Sequence, residues 1–301
     1  SSKRKACVPY ARQNMTAPQD NPQPKLGIIA GGGALPARLA DAAICAGRDV
    51  CVVKLDGYAD DPELDHYPNV TARLGAASKI LDAMRKENCQ DVVLAGKVAR
   101  PSFSSIRPDW RAAKLLMKVG TKALGDDGLL RLVGKELERE GFRLLGAHEI
   151  LGDLAVEEGV LGAVPPDEQA ISDARHGLSV ARTLGQADVG QGCVVQQGLV
   201  LALEAIEGTD EMVRRSAMYK RDGAGGVLVK SAKPQQDKRL DLPAIGMKTV
   251  EEAHKAGLRG VALLAGGTMI IDRDAVIARA DALGLFVVGL SLPDGDSSNG
   301  G

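Results

Sequence analysis

The run Lys25-Leu-Gly-Ile-Ile-Ala-Gly-Gly-Gly-Ala-Leu-Pro-Ala-Arg-Leu39 restricts the fold more than any other stretch. Leu26 to Ala30 is apolar without alternation, the pattern of a strand buried on both faces. Gly31, Gly32 and Gly33 follow, and Leu35, Leu39 and Ala43 then recur at helical spacing. Pro36 suits a first helical turn, where a missing N–H costs nothing. A strand running through glycines into a helix N-terminus presents outward N–H groups and a favourable dipole to an anion. The expectation is a phosphate site on Gly31, Gly32, Gly33, Ala34 and Leu35.

Strand and helix patterns alternate from there. Val50–Leu55 and Asp91–Ala95 read as strands, and Ile80, Leu81 and Met84 share one helical face between them. A helix near Lys114–Val119 and one opened by Gly125-Asp126-Asp127-Gly128 precede a strand at Phe142–Gly146. Such alternation predicts a Rossmann-like parallel sheet with right-handed crossovers and ligands beyond the strand carboxyl ends. Gly, Pro and acidic residues thicken between Leu151 and Pro166. The expected division is a leader at 1–24 (with Met15 a candidate start), a nucleotide-binding domain at 25–150, a linker at 151–166, a second α/β domain at 167–293 and a tail at 294–301. The order of strands in the second domain is not legible.

Composition narrows function. With 38 basic and 39 acidic residues, net charge −1 and 3% aromatics, the chain has neither the field nor the stacking surfaces of a nucleic-acid binder. Five scattered cysteines without a Cys-x-x-Cys pair read as reduced thiols. No apolar run approaches the roughly 20 residues of a membrane span. A cytoplasmic protein is expected.

The glycine run matches a dinucleotide fingerprint at Gly31 and Gly33, with Asp56 where a ribose-binding acid belongs, but Pro36 holds the third glycine's place. Gly96-Lys97 lacks the remainder of a Walker loop. Lys97 and Arg100, after a buried strand, are placed to meet phosphate. Asp126 and Asp127 suit helix capping, a metal or a sugar hydroxyl; His148, beside Glu149, ends a strand near the boundary. The densest polar segments lie later: Gln191, then Glu204-Ala-Ile-Glu207-Gly208-Thr209-Asp210 with Arg214 and Arg215, then Lys230, Lys233 and Asp237-Lys-Arg239-Leu-Asp241-Leu-Pro243. Acids and cations so packed suit a magnesium-assisted phosphoryl or phosphodiester reaction. Pro243 keeps Leu242 extended, so Asp241 is expected to stand fixed between buried leucines.

These blocks, together with Ala-Gly-Lys97-Val-Ala-Arg-Pro, Gly-Ala-His148-Glu, Asp-Val-Gly-Gln191-Gly and Lys233-Pro-Gln-Gln-Asp-Lys-Arg-Leu-Asp241-Leu-Pro-Ala-Ile-Gly, resemble the LpxI-type UDP-2,3-diacylglucosamine pyrophosphatases of Gram-negative bacteria. The ordered set spans about residues 25 to 290. The resemblance implies two α/β domains around a cleft, the first taking the UDP part and the second the acylated sugar phosphate. It implies hydrolysis to UMP and 2,3-diacylglucosamine 1-phosphate (lipid X) in lipid A assembly, with Mg²⁺ or another divalent metal such as Mn²⁺. It places an essential aspartate within Asp237–Asp241, aligned here to Asp241; the position of Lys97 can carry another polar residue in that family. The expected catalytic group is Asp241 with Asp237, Lys233 and Arg239, and the expected metal ligands are Asp241, Glu204, Glu207 and Asp210. Substrate contacts are expected from the glycine run, Lys97, Asp126, Asp127, His148, Gln191, Gly208, Thr209, Arg214 and Lys230. A peripheral contact with the inner membrane and a homodimer are compatible with that reading. The competing readings are a nicotinamide-dependent oxidoreductase and a non-catalytic nucleotide-sugar or lipid carrier.

Overall fold

A computed structural model of the chain describes residues 23–98, 108–117, 126–152 and 154–292. The leader to residue 22, Arg100 and the expected tail lie outside the described residues. Two units are separated by their internal packing: one runs to Leu151 and also takes in Arg239–Asp241, and the other holds Gly152–Lys238 and the chain from Leu242 onward.

In the N-terminal unit, β1 (Leu26–Ala30), α1 (Leu35–Cys45), β2 (Val50–Leu55), β3 (Asn69–Ala72), α2 (Ala77–Lys86), β4 (Asp91–Ala95), α3 (Trp110–Met117), α4 (Asp126–Arg139), β5 (Arg143–Leu144) and α5 (Ala147–Ile150) follow in order. The sheet is parallel throughout, in the order β3-β2-β1-β4-β5. The chain leaves β1 in one direction to β2 and β3, then returns to its other side for β4 and β5. The β1/β4 boundary is therefore the topological switch point, where open α/β sheets bind ligands. All five residues of β1 are buried, as their unbroken apolar run predicts. Strand β3 escaped the sequence reading because an edge strand with Asn69 and Thr71 exposed needs no apolar run.

At the opposite, amino-terminal end of this sheet, Asp91 is 1% exposed and opens β4. Its carboxylate accepts from Arg143 Nε at 2.7 Å and Nη2 at 2.6 Å, and also from Arg48. Arg48 is buried, and its Nε donates to the Pro24 carbonyl at 2.5 Å. Burial pulls the Arg48 pKa down and Asp91 opposes that shift, while the bond to Asp91 raises Arg143. This charge cluster ties β4, β5 and the segment entering β1 together.

The C-terminal unit contains β6 (Gly159–Val160), α6 (Glu168–Gln186), β7 (Gly192–Gln196), β8 (Leu199–Leu203), α7 (Thr209–Ser216), β9 (Val227–Lys230), β10 (Ala244–Ile245), α8 (Met247–Lys255), β11 (Gly260–Leu264), β12 (Met269–Ile270), α9 (Arg273–Ala282) and β13 (Phe286–Leu290). Its main sheet has the order β6-β13-β11-β9-β7-β8, parallel through β13, β11 and β9 and antiparallel at the flanking pairs. Strands β10 and β12 form a small parallel pair. Alternate residues point to two cores. Cys193, Val195, Val229 and Ala262 pack with Ala174 and Leu178 of α6, whereas Val194, Leu228 and Val261 pack with Met212, Val250 and Val276 of α7, α8 and α9. Asp167 caps α6 by accepting from the Ala170 N–H at 2.8 Å.

Two boundaries differ from expectation. The stretch 151–166 is not a bare linker: β6 pairs with β13, and Leu154 and Val156 are buried. Arg239–Asp241, expected within the second domain, belongs to the N-terminal unit. Leu240 is the physical reason, since it joins the core of Ile29, Val53, Leu137 and Leu144. Composition marks loops; it cannot reveal that a leucine late in the chain completes an early core.

Candidate functional site

The glycine run lies at the switch point, but its N–H groups are spoken for. Gly31 donates to the Ala95 carbonyl at 2.8 Å, and Gly32 and Lys97 exchange two backbone hydrogen bonds, each 2.8 Å. Gly33 donates to Asp60 Oδ1 at 2.9 Å. The expected outward cradle of three glycine N–H groups is therefore corrected: the glycines clip the loops after β1, β2 and β4 together. A Cβ on Gly31 would stand 2.7 Å from the Lys97 carbonyl oxygen, and one on Gly96 2.7 Å from the Gly31 carbonyl carbon. Gly96 also has φ of 93°. Gly96→Ala should destabilise the unit by about 1–3 kcal/mol, from strain and clash together, read as an earlier urea midpoint. An unchanged midpoint would show that the clip yields freely.

Among the described residues, what remains for an anion at this end is the start of α1, where Ala34 caps the helix without a side-chain bond and Leu35 and Pro36 begin it. Lys97 is exposed beside it. Helix α5 follows β5 at the same carboxyl end of the sheet, and its His148 has a buried Nδ1 with no hydrogen-bond partner. The His148 ring lies against Gly146, whose own neighbours include the Arg239 backbone. Arg239 donates to Glu138 at 2.8 Å. Asp241 is exposed, and its chain neighbours Leu240 and Leu242 are each 7% exposed. Asp126 and Asp127 begin α4; their side chains lie outside the description.

In the C-terminal unit the register of β9, β7 and β8 brings Lys230, Gly192 and Leu203 to one end of these strands. Lys230 and Glu204 are 5% and 6% exposed. Lys230 Nζ donates to Thr209 Oγ1 at 2.7 Å, and that hydroxyl donates to Glu204 Oε1 at 2.6 Å. Gly208, with φ of 80°, sets Thr209 at the first position of α7. Gln191 stands at the same end, its backbone carbonyl accepting from the Ser231 N–H at 2.9 Å and its Oε1 buried without a partner. Lys233 Nζ donates to Asp188 Oδ1 at 2.5 Å, and Asp237 is half-buried farther along the same loop. Burial, with the Glu204 charge beside it, pushes the Cys193 thiol up to about 12. Cys51 and Cys89 are buried as well.

The proposed metal set is not assembled. Glu207 pairs with Arg215, Asp210 with Lys248 at 2.7 Å, and Arg214 turns to Glu211 and to Glu252 at 3.2 Å. Glu204 turns inward to Thr209. Among the described residues no three His, Cys, Asp or Glu side chains converge as a metal site would need. Spacing along the chain put Glu204, Glu207 and Asp210 close in sequence; Glu207 and Asp210 found separate cations and Glu204 a hydroxyl. The Thr209 bridge, the Lys233 partner Asp188 and the Asp60 contact to Gly33 were missed. Only Thr209, following Gly208 at a helix start, carried a local signal.

Two family models match the chain, one in each half. A family model described as the LpxI N-terminal domain matches residues 25–154, and one described as the LpxI C-terminal domain matches 157–288. The UDP-2,3-diacylglucosamine pyrophosphatase LpxI of Caulobacter vibrioides (strain ATCC 19089 / CIP 103742 / CB 15) is 48% identical over 273 residues, 88% of this chain and 97% of that protein. Among solved structures, CobK precorrin-6A reductase is 13% identical with a TM-score of 0.34, covering 90% of this chain and 89% of that one. The ADP complex of N5-carboxyaminoimidazole ribonucleotide synthetase is 16% identical with a TM-score of 0.24, covering 72% and 43%. Neither likeness is close enough to carry an argument. The two matched domains and the near full-length identity establish that the chain belongs to the LpxI family.

Proposed function

We propose that this chain hydrolyses UDP-2,3-diacylglucosamine: water adds at one phosphorus of the pyrophosphate, the bridging P–O bond breaks, and UMP and 2,3-diacylglucosamine 1-phosphate leave, as a step of lipid A assembly. The observation that carries the proposal is the 48% identity to a UDP-2,3-diacylglucosamine pyrophosphatase across 97% of its length. The switch point at β1/β4 supports a nucleotide in the N-terminal unit, and the buried Lys230 supports a phosphate in the C-terminal one. Asp241 is assigned to orient the water, with Asp237, Lys233 and Arg239 completing the catalytic group. The nicotinamide reading finds no support at Pro36, and a carrier would bind without releasing UMP. No described helix is long and apolar enough to cross a membrane; contact with the inner membrane and a homodimer belong to the proposal.

Attack is assigned to the sugar-side phosphorus. Hydrolysis in ¹⁸O-water should then label 2,3-diacylglucosamine 1-phosphate and leave UMP unlabelled; label in UMP would reverse the assignment. A divalent requirement, for Mg²⁺ or Mn²⁺, is proposed on the resemblance alone, and no step is derived through the ion because the carboxylates do not form a cage. EDTA should abolish UMP release and excess Mg²⁺ should restore it. Full turnover in EDTA would remove the metal from the account.

A further inference from the structure

Thr209 separates a buried ammonium from a buried carboxylate, where a direct ion pair would be the usual solution. The threonine proton is committed to Glu204 Oε1 and its oxygen accepts from Lys230. Glu204 Oε2 is buried with no hydrogen-bond partner. It lies flat on the strand end, 2.8 Å from the point a Cβ on Gly192 would occupy, and the Glu204 N–H donates to the Gly192 carbonyl at 2.9 Å. A buried acceptor without a donor is costly, and more so when charged. An ammonium has three donors, and one of these is used by Thr209. This end of the strands thus offers an acceptor seeking a donor beside donors seeking an anion.

We propose that Glu204 is a specificity-determining residue that accepts a hydrogen bond from a sugar hydroxyl while Lys230 takes the neighbouring phosphate, with Thr209 as the positioning residue that fixes their spacing. The ligand class is a phosphorylated sugar with a free hydroxyl. This rests on the function proposed above, which limits the donor further: in a 2,3-diacylated glucosamine only the 4- and 6-hydroxyls remain. It also replaces the metal role expected for Glu204. A site built around a substrate hydroxyl discriminates strongly against the analogue that lacks it, because its own acceptor is left unpaired.

The test is direct binding of glucosamine 1-phosphate and its 4-deoxy and 6-deoxy analogues to the full chain by calorimetry, with UMP release from UDP-2,3-diacylglucosamine measured in parallel. One deoxy analogue should bind about tenfold more weakly or worse to the native protein. Glu204→Gln should reduce that difference to about threefold or less. Thr209→Val should weaken glucosamine 1-phosphate and raise KM more than it lowers kcat, and Thr209→Ser, which keeps the hydroxyl, should restore both. If the native protein releases UMP yet binds all three sugar phosphates equally, or none, this inference fails and the hydrolase reading stands. If UMP is not released, the hydrolase reading fails. Variants that merely melt earlier, with unchanged discrimination between the analogues, would make the relay structural and overturn the proposal.

Discussion

Asp241→Ala should lower turnover of UDP-2,3-diacylglucosamine by about 10³-fold or more, the scale seen when a group acting in the transition state is removed. Substrate affinity and the melting curve should stay near native. The expectation of an undisturbed fold comes from the anchoring. Leu240 is held in the core of the N-terminal unit, within reach of Gly134, and Leu242 is buried on the other side. Asp241 is itself exposed, so its replacement leaves both buried leucines in place. Asp241→Asn keeps the shape and removes the charge, so it should be nearly as inactive. Near-native turnover in both would move the essential carboxylate to Asp237.

The largest expected effect on stability is Asp91→Ala, about 3–5 kcal/mol. Removing one partner of a buried ion pair leaves the other charge buried and uncompensated, and here that charge is the Arg48 guanidinium. Arg143 is largely exposed and can return to water, so it adds little to the cost. The cluster stands at the amino ends of the strands, away from the switch point, so activity per folded molecule should persist at low denaturant. Urea unfolding measures the first claim and titrated active protein the second. A loss below 1 kcal/mol would mean that water or a shifted Arg48 replaces the carboxylate.

Local pattern made part of this molecule legible. The βα unit at Leu26–Cys45 follows from one apolar run, three glycines and a proline in the first turn, and β2 and β4 announced themselves as short apolar runs. Long-range partnership was not legible. Gly31 to Gly33 read as a phosphate cradle because their N–H groups had no visible acceptors; Ala95, Lys97 and Asp60, far along the chain, supply them. Glu204, Glu207 and Asp210 read as a metal cluster because they are close in sequence, but helix α7 and the strand end aim each at a different cation or hydroxyl. Residues Gln191, Glu204, Thr209 and Lys230 were all singled out by type, and the fold gathers them at one end of the strands; what sequence could not supply was the Thr209 bridge.

A hydrolase breaks a bond, whereas a carrier only holds its ligand. The most direct measurement is UMP release when the purified full chain is mixed with UDP-2,3-diacylglucosamine and Mg²⁺. Repeated turnover is expected, with UMP and 2,3-diacylglucosamine 1-phosphate formed in equal amounts. Substrate bound to saturation with no UMP released, whatever the divalent metal supplied, would contradict it.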